Sequence, residues 1–218
     1  MIKISPSILS SDFSNLETEV RLLEKSGADM IHIDVMDGIF VNNITMGPVI
    51  LKSIRNKTVL PFDVHLMIID PIKFIESFVN AGSDIISIHY EANSDIRETL
   101  KCIKFYNKKA GLVINPNTPA EVTLDFLDII DLIVIMTVEP GFSGQKFMYN
   151  ILPKIKLIKE YINKSGKDIE LEIDGGVDDL TVKEVIKYDI DIVVAGSYIF
   201  NSNNYKNKIQ LLKSLSCT

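Results

Sequence analysis

The chain has 218 residues, 46% of them hydrophobic and 24% charged, with 23 Lys and Arg against 29 Asp and Glu for a net charge of −6. That is the balance of a globular chain with a sizeable core, and an acidic chain without a basic run is a poor partner for nucleic acid. No apolar run reaches the roughly 18 residues of a membrane span, and the N-terminal MIKISPSILSSDF lacks the apolar centre of a signal peptide, so a cytoplasmic protein with no membrane partner is expected.

The first strand is predicted over 2–8 and ends in Ser-Pro-Ser-Ile-Leu-Ser-Ser, without the Gly-x-Gly-x-x-Gly of an open dinucleotide-binding sheet. Ser11 and Asp12 start a helix whose apolar face is Phe13, Leu16, Val20 and Leu23, and Gly27 ends it. The second strand, 30–35, lies in Met-Ile-His-Ile-Asp-Val-Met-Asp-Gly, where His32 and Asp34 fall on one face because side chains two apart in a strand point the same way. Burying a carboxylate is costly unless it is paired or bound to a cation; taken alone, a buried His–Asp hydrogen bond accounts for this pair equally well. The third strand, 62–67, carries His65 within Phe-Asp-Val-His-Leu-Met, and Asp70-Pro71 opens the next helix, which Gly82 ends. Strands over 85–89, 111–114 and 132–136 follow, with Thr118-Pro119 opening the fifth helix and Leu152, Ile155, Ile158 and Ile162 marking the sixth up to Gly166. The seventh strand, 171–173, is followed by Asp174, and the eighth spans 190–195. Cys102 and Cys217 share no metal-ligand spacing, Cys217 sits near a frayed C-terminus, and no disulfide framework is expected.

Eight strands alternating with helices, with no linker or low-complexity segment, predict an α/β fold. The economical closed form is a single (β/α)8 TIM barrel domain over 1–218. Chemistry in such barrels sits at the C-terminal ends of the strands. His32, Asp34, His65 and Asp174 should therefore converge at one mouth. Two imidazoles and two carboxylates suit one divalent transition ion per chain, Zn2+ first, then Fe2+, Mn2+ or Co2+. The alternative is that both are core histidines bonded to carboxylates or backbone. Asp37-Gly38 reads as a turn, His89 as a structural or rim histidine, and Asp63 and Glu172 as partners behind the ligands.

The motifs HIDVMDG (32–38), DVHLM (63–67), NPNTP (115–119), VEPGFSGQKF (138–147), DGGV (174–177) and AGS (195–197) occur in this order. Together they resemble the signatures of the ribulose-phosphate 3-epimerase family over essentially the full length. The resemblance implies a metal-dependent barrel that interconverts D-ribulose 5-phosphate and D-xylulose 5-phosphate. It implies that His32, Asp34, His65 and Asp174 hold the metal and that Asp34 and Asp174 are the catalytic acid and base. It also implies that Met36, Met67 and Met136 line the cavity and that Ser7 and His65 touch substrate. Inversion at C3 of a 2-ketose explains two carboxylates, one on each face of the substrate.

The phosphate is expected at the loops after the last strands, where Gly141, Phe142, Ser143, Gly144, Gly175, Gly176, Gly196 and Ser197 supply compact backbone. Loop 140–147 also reads as a lid. The family commonly has Gly-Phe-Gly-Gly where this chain has Gly141-Phe-Ser-Gly144, and Ser143 is expected to limit positive φ there; Asn42 stands where many members carry proline. A related phosphate-binding decarboxylase or lyase would use Asp-x-Lys-x-x-Asp, but Met36 occupies the lysine position. The motifs do not separate a pentose from a six-carbon ketose phosphate substrate. A non-catalytic phosphate-binding barrel would be expected to lose a ligand, and none of the four is missing. A homo-oligomer is the expected assembly.

Overall fold

The computed structural model describes residues 2–92 and 95–215, and Cys217 lies outside them. Eight parallel strands run β1 (Lys3–Ser5), β2 (Ile31–Met36), β3 (Phe62–Met67), β4 (Ile85–His89), β5 (Lys109–Ile114), β6 (Leu132–Met136), β7 (Glu170–Asp174) and β8 (Ile192–Val194). They form one sheet in the order β1-β8-β7-β6-β5-β4-β3-β2. Its two outer strands meet through the Asp29 N–H donating to Ile4 O (3.0 Å) and the His32 N–H donating to Pro6 O (3.0 Å), which rolls the sheet into a (β/α)8 barrel. The crossovers carry α1 (Leu16–Lys25), α2 (Pro48–Ile54), α3 (Ile75–Ala81), α4 (Ile96–Phe105), α5 (Leu152–Ser165) and α6 (Val182–Val185), and α7 (Ser197–Phe200) and α8 (Tyr205–Leu215) follow β8. Among the described residues no helix is long and apolar enough to cross a membrane.

Strand parity sorts the side chains. Ile31, Ile33, Val35, Val64 and Leu66 join the large apolar layer beneath the helices with Val20, Leu23 and Leu51. The alternate residues point inward, and the interior is of two kinds. Met30, Ile85, Val113, Leu132, Val134 and Ile192 make an apolar plug, whereas Ser5, His32, Asp34, Asp63, His65, Ser87, His89, Glu172 and Asp174 are polar and buried. So many buried polar groups on neighbouring strands must satisfy one another or a ligand.

The structure departs from the sequence expectations in four places. Asp12 caps a 3-10 turn, Phe13–Asn15, so α1 begins only at Leu16 and Phe13 is exposed instead of lying on the buried face. The first strand stops at Ser5: Pro6 has no N–H to donate, and Ser7 caps a short 3-10 turn, Ile8–Ser10, its hydroxyl accepting from the Leu9 N–H (3.3 Å). The fifth helix is absent, and Ala120–Phe126 forms 3-10 turns instead. There the Thr123 hydroxyl donates to Ala120 O (2.8 Å), a local bond that competes with the α-helical ladder. Asp70-Pro71 opens a 3-10 turn, and α3 begins only at Ile75. Gly27, Gly82 and Gly166 do end helices, each with positive φ (86°, 104° and 65°).

Candidate active site

The strands bring the four expected ligands together. His32 Nε2 lies 3.4 Å from Asp34 Oδ1 and 3.6 Å from Asp174 Oδ2, and His65 Nδ1 lies 3.3 Å from each of the same oxygens. Both imidazoles are fully buried, while Asp34 and Asp174 keep 6% and 8% exposure, so the carboxylates alone reach the cavity. Neither His32 Nε2 nor His65 Nδ1 has a hydrogen-bond partner. Buried nitrogens are not normally left so, and both aim at one point between the carboxylates. Four donors arranged tetrahedrally at the ~2.0–2.1 Å of zinc–nitrogen and zinc–oxygen bonds are about 3.3–3.4 Å apart, and the four nitrogen–oxygen separations here are 3.3–3.6 Å. The cluster could hold one metal ion.

Its electrostatics agree. Burial opposes charge on both imidazoles, but Asp63, Asp34 and Asp174 hold His32 well above the ordinary histidine range, and Asp174 and Asp34 raise His65. Burial likewise opposes ionisation of Asp34, yet His32 and His65 hold its carboxyl far below the usual carboxylate range. Two carboxylates thus call for two positive charges, which two imidazolium protons or one divalent cation can supply.

The groups behind the ligands are as ordered. His32 Nδ1 is 2.7 Å from Asp63 Oδ2, which also accepts from the Ser5 hydroxyl at 3.2 Å. Glu172 Oε1 lies 3.6 Å from the same His32 nitrogen, and burial and then the Asp63 charge push the Glu172 carboxyl well above its ordinary range. Asp63 and Glu172 therefore stand behind His32, as expected from strand parity. His89 is no rim residue. It is fully buried, its ring stacks on His65 with centroids 4.9 Å apart, and the two Nε2 atoms are 2.8 Å apart. Burial pulls its pKa down to about 4, so His89 is neutral at pH 7. Asp37 is a turn residue, its carboxylate accepting from the Ile39, Phe40 and Ile69 N–H groups, each at 2.8 Å.

A cavity opens above the carboxylates. Met36, Met67 and Met136 line it, as do Ser7, Gly175, Gly176, Gly196 and Ser197 and the whole of 141–144. Ser7 donates to Asp34 Oδ2 at 2.5 Å, so Asp34 turns one oxygen to the histidines and has the other held by a hydroxyl. Ser143 does not adopt positive φ, whereas Gly141 (128°) and Gly144 (76°) do, so a serine at 143 meets no backbone strain there. Asn43 Nδ2 donates to Gly141 O at 2.8 Å and Gln145 Nε2 to Glu139 O at 2.6 Å, tying the loop down on both flanks. Gly176 (φ 66°) is packed so closely that a Cβ would lie 2.5 Å from Phe147 N. Ser10 also lines the cavity, its hydroxyl buried without a partner. Nothing in the sequence marks it beyond its position three residues after Ser7.

Residues 3–200 match the model of the ribulose-phosphate 3 epimerase family. The chain belongs to this family. It is 48% identical to the ribulose-phosphate 3-epimerase of Bacillus subtilis (strain 168), over 98% of this chain and 99% of that one. It is 46% identical to the protein of the same name from Synechocystis sp. (strain ATCC 27184 / PCC 6803 / Kazusa), over 95% and 91%. The chloroplastic ribulose-5-phosphate-3-epimerase of Arabidopsis thaliana is 42% identical, over 98% of this chain and 76% of that one. Among solved structures, KGPDC from Streptococcus mutans superposes with a TM-score of 0.76 at 13% identity, covering 100% and 98% of the two chains. The 3-hexulose-6-phosphate synthase from Salmonella typhimurium does so at 0.71 and 16%, covering 99% of each. At those identities the two structures speak for the barrel fold alone. As an epimerase of this family the chain acts on carbohydrate phosphates, and its buried His/Asp cluster fits a metal site.

Proposed function

We propose that this epimerase interconverts D-ribulose 5-phosphate and D-xylulose 5-phosphate at C3 through an enediolate. The whole chain would act as one cytoplasmic catalytic domain of the pentose phosphate pathway. The observation that carries the reading is a pair of carboxylates from separate strands, Asp34 on β2 and Asp174 on β7, facing one cavity with two partnerless imidazole nitrogens behind them. His32, Asp34, His65 and Asp174 would hold one divalent ion, with Zn2+ suited to the donor set and Fe2+, Mn2+ or Co2+ able to use it. Bound there, such an ion supplies Lewis-acid stabilisation of negative charge on the substrate oxygens.

The residues of the chain do the rest. Asp34, held ionised by the two histidines and by the Ser7 hydroxyl, would remove the C3 proton from one face and keep it, while Asp174 would deliver a different proton to the opposite face. In reverse the roles exchange. Met36, Met67 and Met136 present thioethers to the enediolate, which have no proton to compete with. The phosphate lies against the backbone of Gly144, Gly176, Gly196 and Ser197, and Gly141, Phe142 and Ser143 cover it.

Metal analysis should find about one divalent ion per chain. Chelator-stripped protein should lose activity on ribulose 5-phosphate by at least about a hundredfold and recover with one equivalent of ion. His65→Asn should lose ion and activity together while the barrel's circular dichroism is unchanged. Full activity in chelator would sink the metal reading, and a faster rate on a six-carbon ketose 6-phosphate would reassign the substrate.

The homo-oligomer rests on Ile39, Ile44 and Val49, which project 76–80% exposed from the loop after β2 and the start of α2. Burial of such side chains is worth roughly 1.5–3 kcal/mol each. Sedimentation velocity should show an assembly that Ile44→Asp breaks; a monomeric wild type at micromolar concentration would remove it.

A further inference from the structure

Behind His65 runs a chain of hydrogen bonds that leaves the metal cluster and ends in the loop after β5. His65 Nε2 meets His89 Nε2 at 2.8 Å, and His89 Nδ1 meets Glu91 Oε2 at 3.2 Å. The other Glu91 oxygen, Oε1, accepts from the Asn115 N–H (2.9 Å) and from the Thr118 hydroxyl. Both belong to the Asn115-Pro-Asn-Thr-Pro119 turn, and Lys154 from α5 braces that turn by donating to Asn115 O (3.1 Å) and Pro116 O (2.5 Å). The NPNTP motif has no other part in the site.

The direction of this chain follows from its donors. Two imidazole nitrogens 2.8 Å apart share one proton, so one ring must donate and the other accept. Glu91 decides which. Its Oε1 already accepts twice, and as a carboxylate its Oε2 can only accept, so His89 Nδ1 must carry a proton toward it. With the ring proton of His89 on Nδ1, its Nε2 is the acceptor of the 2.8 Å contact and takes the His65 Nε2–H. His65 is left with its lone pair on Nδ1, the atom facing Asp34 and Asp174. With the opposite arrangement a bare His89 Nδ1 would face a carboxylate, and the His65 proton would sit where an ion must bind.

We infer that Glu91, acting through His89, is a positioning residue that sets the tautomer of His65 and so frees its Nδ1 to bind the metal; this rests on the metal reading above. His89 and Glu91 touch neither the substrate cavity nor the ion's ligand atoms, and their effect is carried by one proton's location. Metal-site partners of this kind are worth about 10- to 100-fold in metal affinity.

The test is zinc affinity, by competition with a chromophoric chelator at pH 7, on the full chain and three variants. In Glu91→Gln the Asn115 N–H and Thr118 hydroxyl both need an acceptor, so the amide oxygen takes their side and the NH2 faces His89 Nδ1. That reverses the relay without changing its shape. Glu91→Gln and His89→Leu should bind zinc about 10- to 100-fold more weakly, whereas His89→Gln, whose carbonyl can accept the His65 proton, should stay within about threefold of wild type. Long-range 1H–15N spectra of the zinc-loaded wild type should show His89 protonated at Nδ1 alone. Wild-type zinc affinity in Glu91→Gln, equal affinities in His89→Leu and His89→Gln, or a His89 protonated at Nε2 would each overturn the inference. A wild type that takes up no zinc or other divalent ion would instead overturn the metal reading beneath it.

Discussion

Asp34→Asn and Asp174→Asn should each lower kcat/KM for ribulose 5-phosphate by about 10^4-fold, the upper range for removal of a general acid or base. Asparagine keeps the shape and one acceptor oxygen, so each variant should still fold and retain part of its metal affinity. Loss of activity alone would not separate proton transfer from metal binding. The isotopic outcome does. Turnover in D2O by the wild type should place solvent deuterium at C3 of the product, because the proton delivered on one face is not the one removed from the other. Each variant keeps one of the two bases. Asp34→Asn should therefore exchange the C3 proton of one epimer with solvent and leave the other untouched, and Asp174→Asn should show the complementary choice. Product free of solvent deuterium would mean that a single group returns the proton it took. Variants that exchange the same epimer would mean that the two carboxylates do not lie on opposite faces.

Unphosphorylated D-ribulose should lose kcat/KM by about 10^3- to 10^5-fold, the equivalent of ~4–7 kcal/mol of withheld binding. In a chain of net charge −6 the cavity wall over 141–144, 175–176 and 196–197 holds no cationic side chain, so the anion must be met by backbone N–H groups. Such groups bind well only when the loops are compact, and here they are. A Cβ at Gly196 would lie 2.7 Å from Ser10 Oγ, and one at Gly176 would lie 2.5 Å from Phe147 N at a φ of 66°. Gly176→Ala and Gly196→Val should therefore raise KM tenfold or more with the ion still bound, from a strain of order 1–3 kcal/mol. Lys146 lines the neighbouring groove and not the cavity over the carboxylates. Lys146→Ala should thus cost far less than either glycine variant, and an equal or greater rise in KM would transfer the phosphate to the lysine. Comparable rates on ribulose and ribulose 5-phosphate would remove the phosphate site altogether.

Much of this was legible in the chain. Eight β-rich runs, separated by segments of helical period, specify a closed parallel barrel because each run is local and its side-chain parity is built into the backbone. Parity also put His32 beside Asp34, His65 above Asp63 and Asp174 above Glu172, so the ligand set and the groups beneath it could be named from strand ends. The fifth helix was misread because the local bond of the Thr123 hydroxyl outweighs a periodicity signal. The first strand was overextended because Pro6 and the Ser7 cap end it sooner than its apolar content suggests.

What parity cannot supply is which atoms of different strands meet. His65 pairs in register with Ser87 and not with His89, so nothing in either strand's sequence marks the two imidazoles as partners. It is the stagger of the closed barrel that stacks one ring on the other. The bond from Ser7 to Asp34, the approach of Glu172 to His32, and the reach of Glu91 to a turn 24 residues further on are of the same kind. The sequence determined the strand count, the inward faces and the residues at the mouth, because these depend on the backbone repeat. The tertiary structure alone decided the hydrogen-bond partners and the proton positions, because these depend on side-chain separations between strands that must be right to within a few tenths of an ångström and are set by twist, stagger and closure.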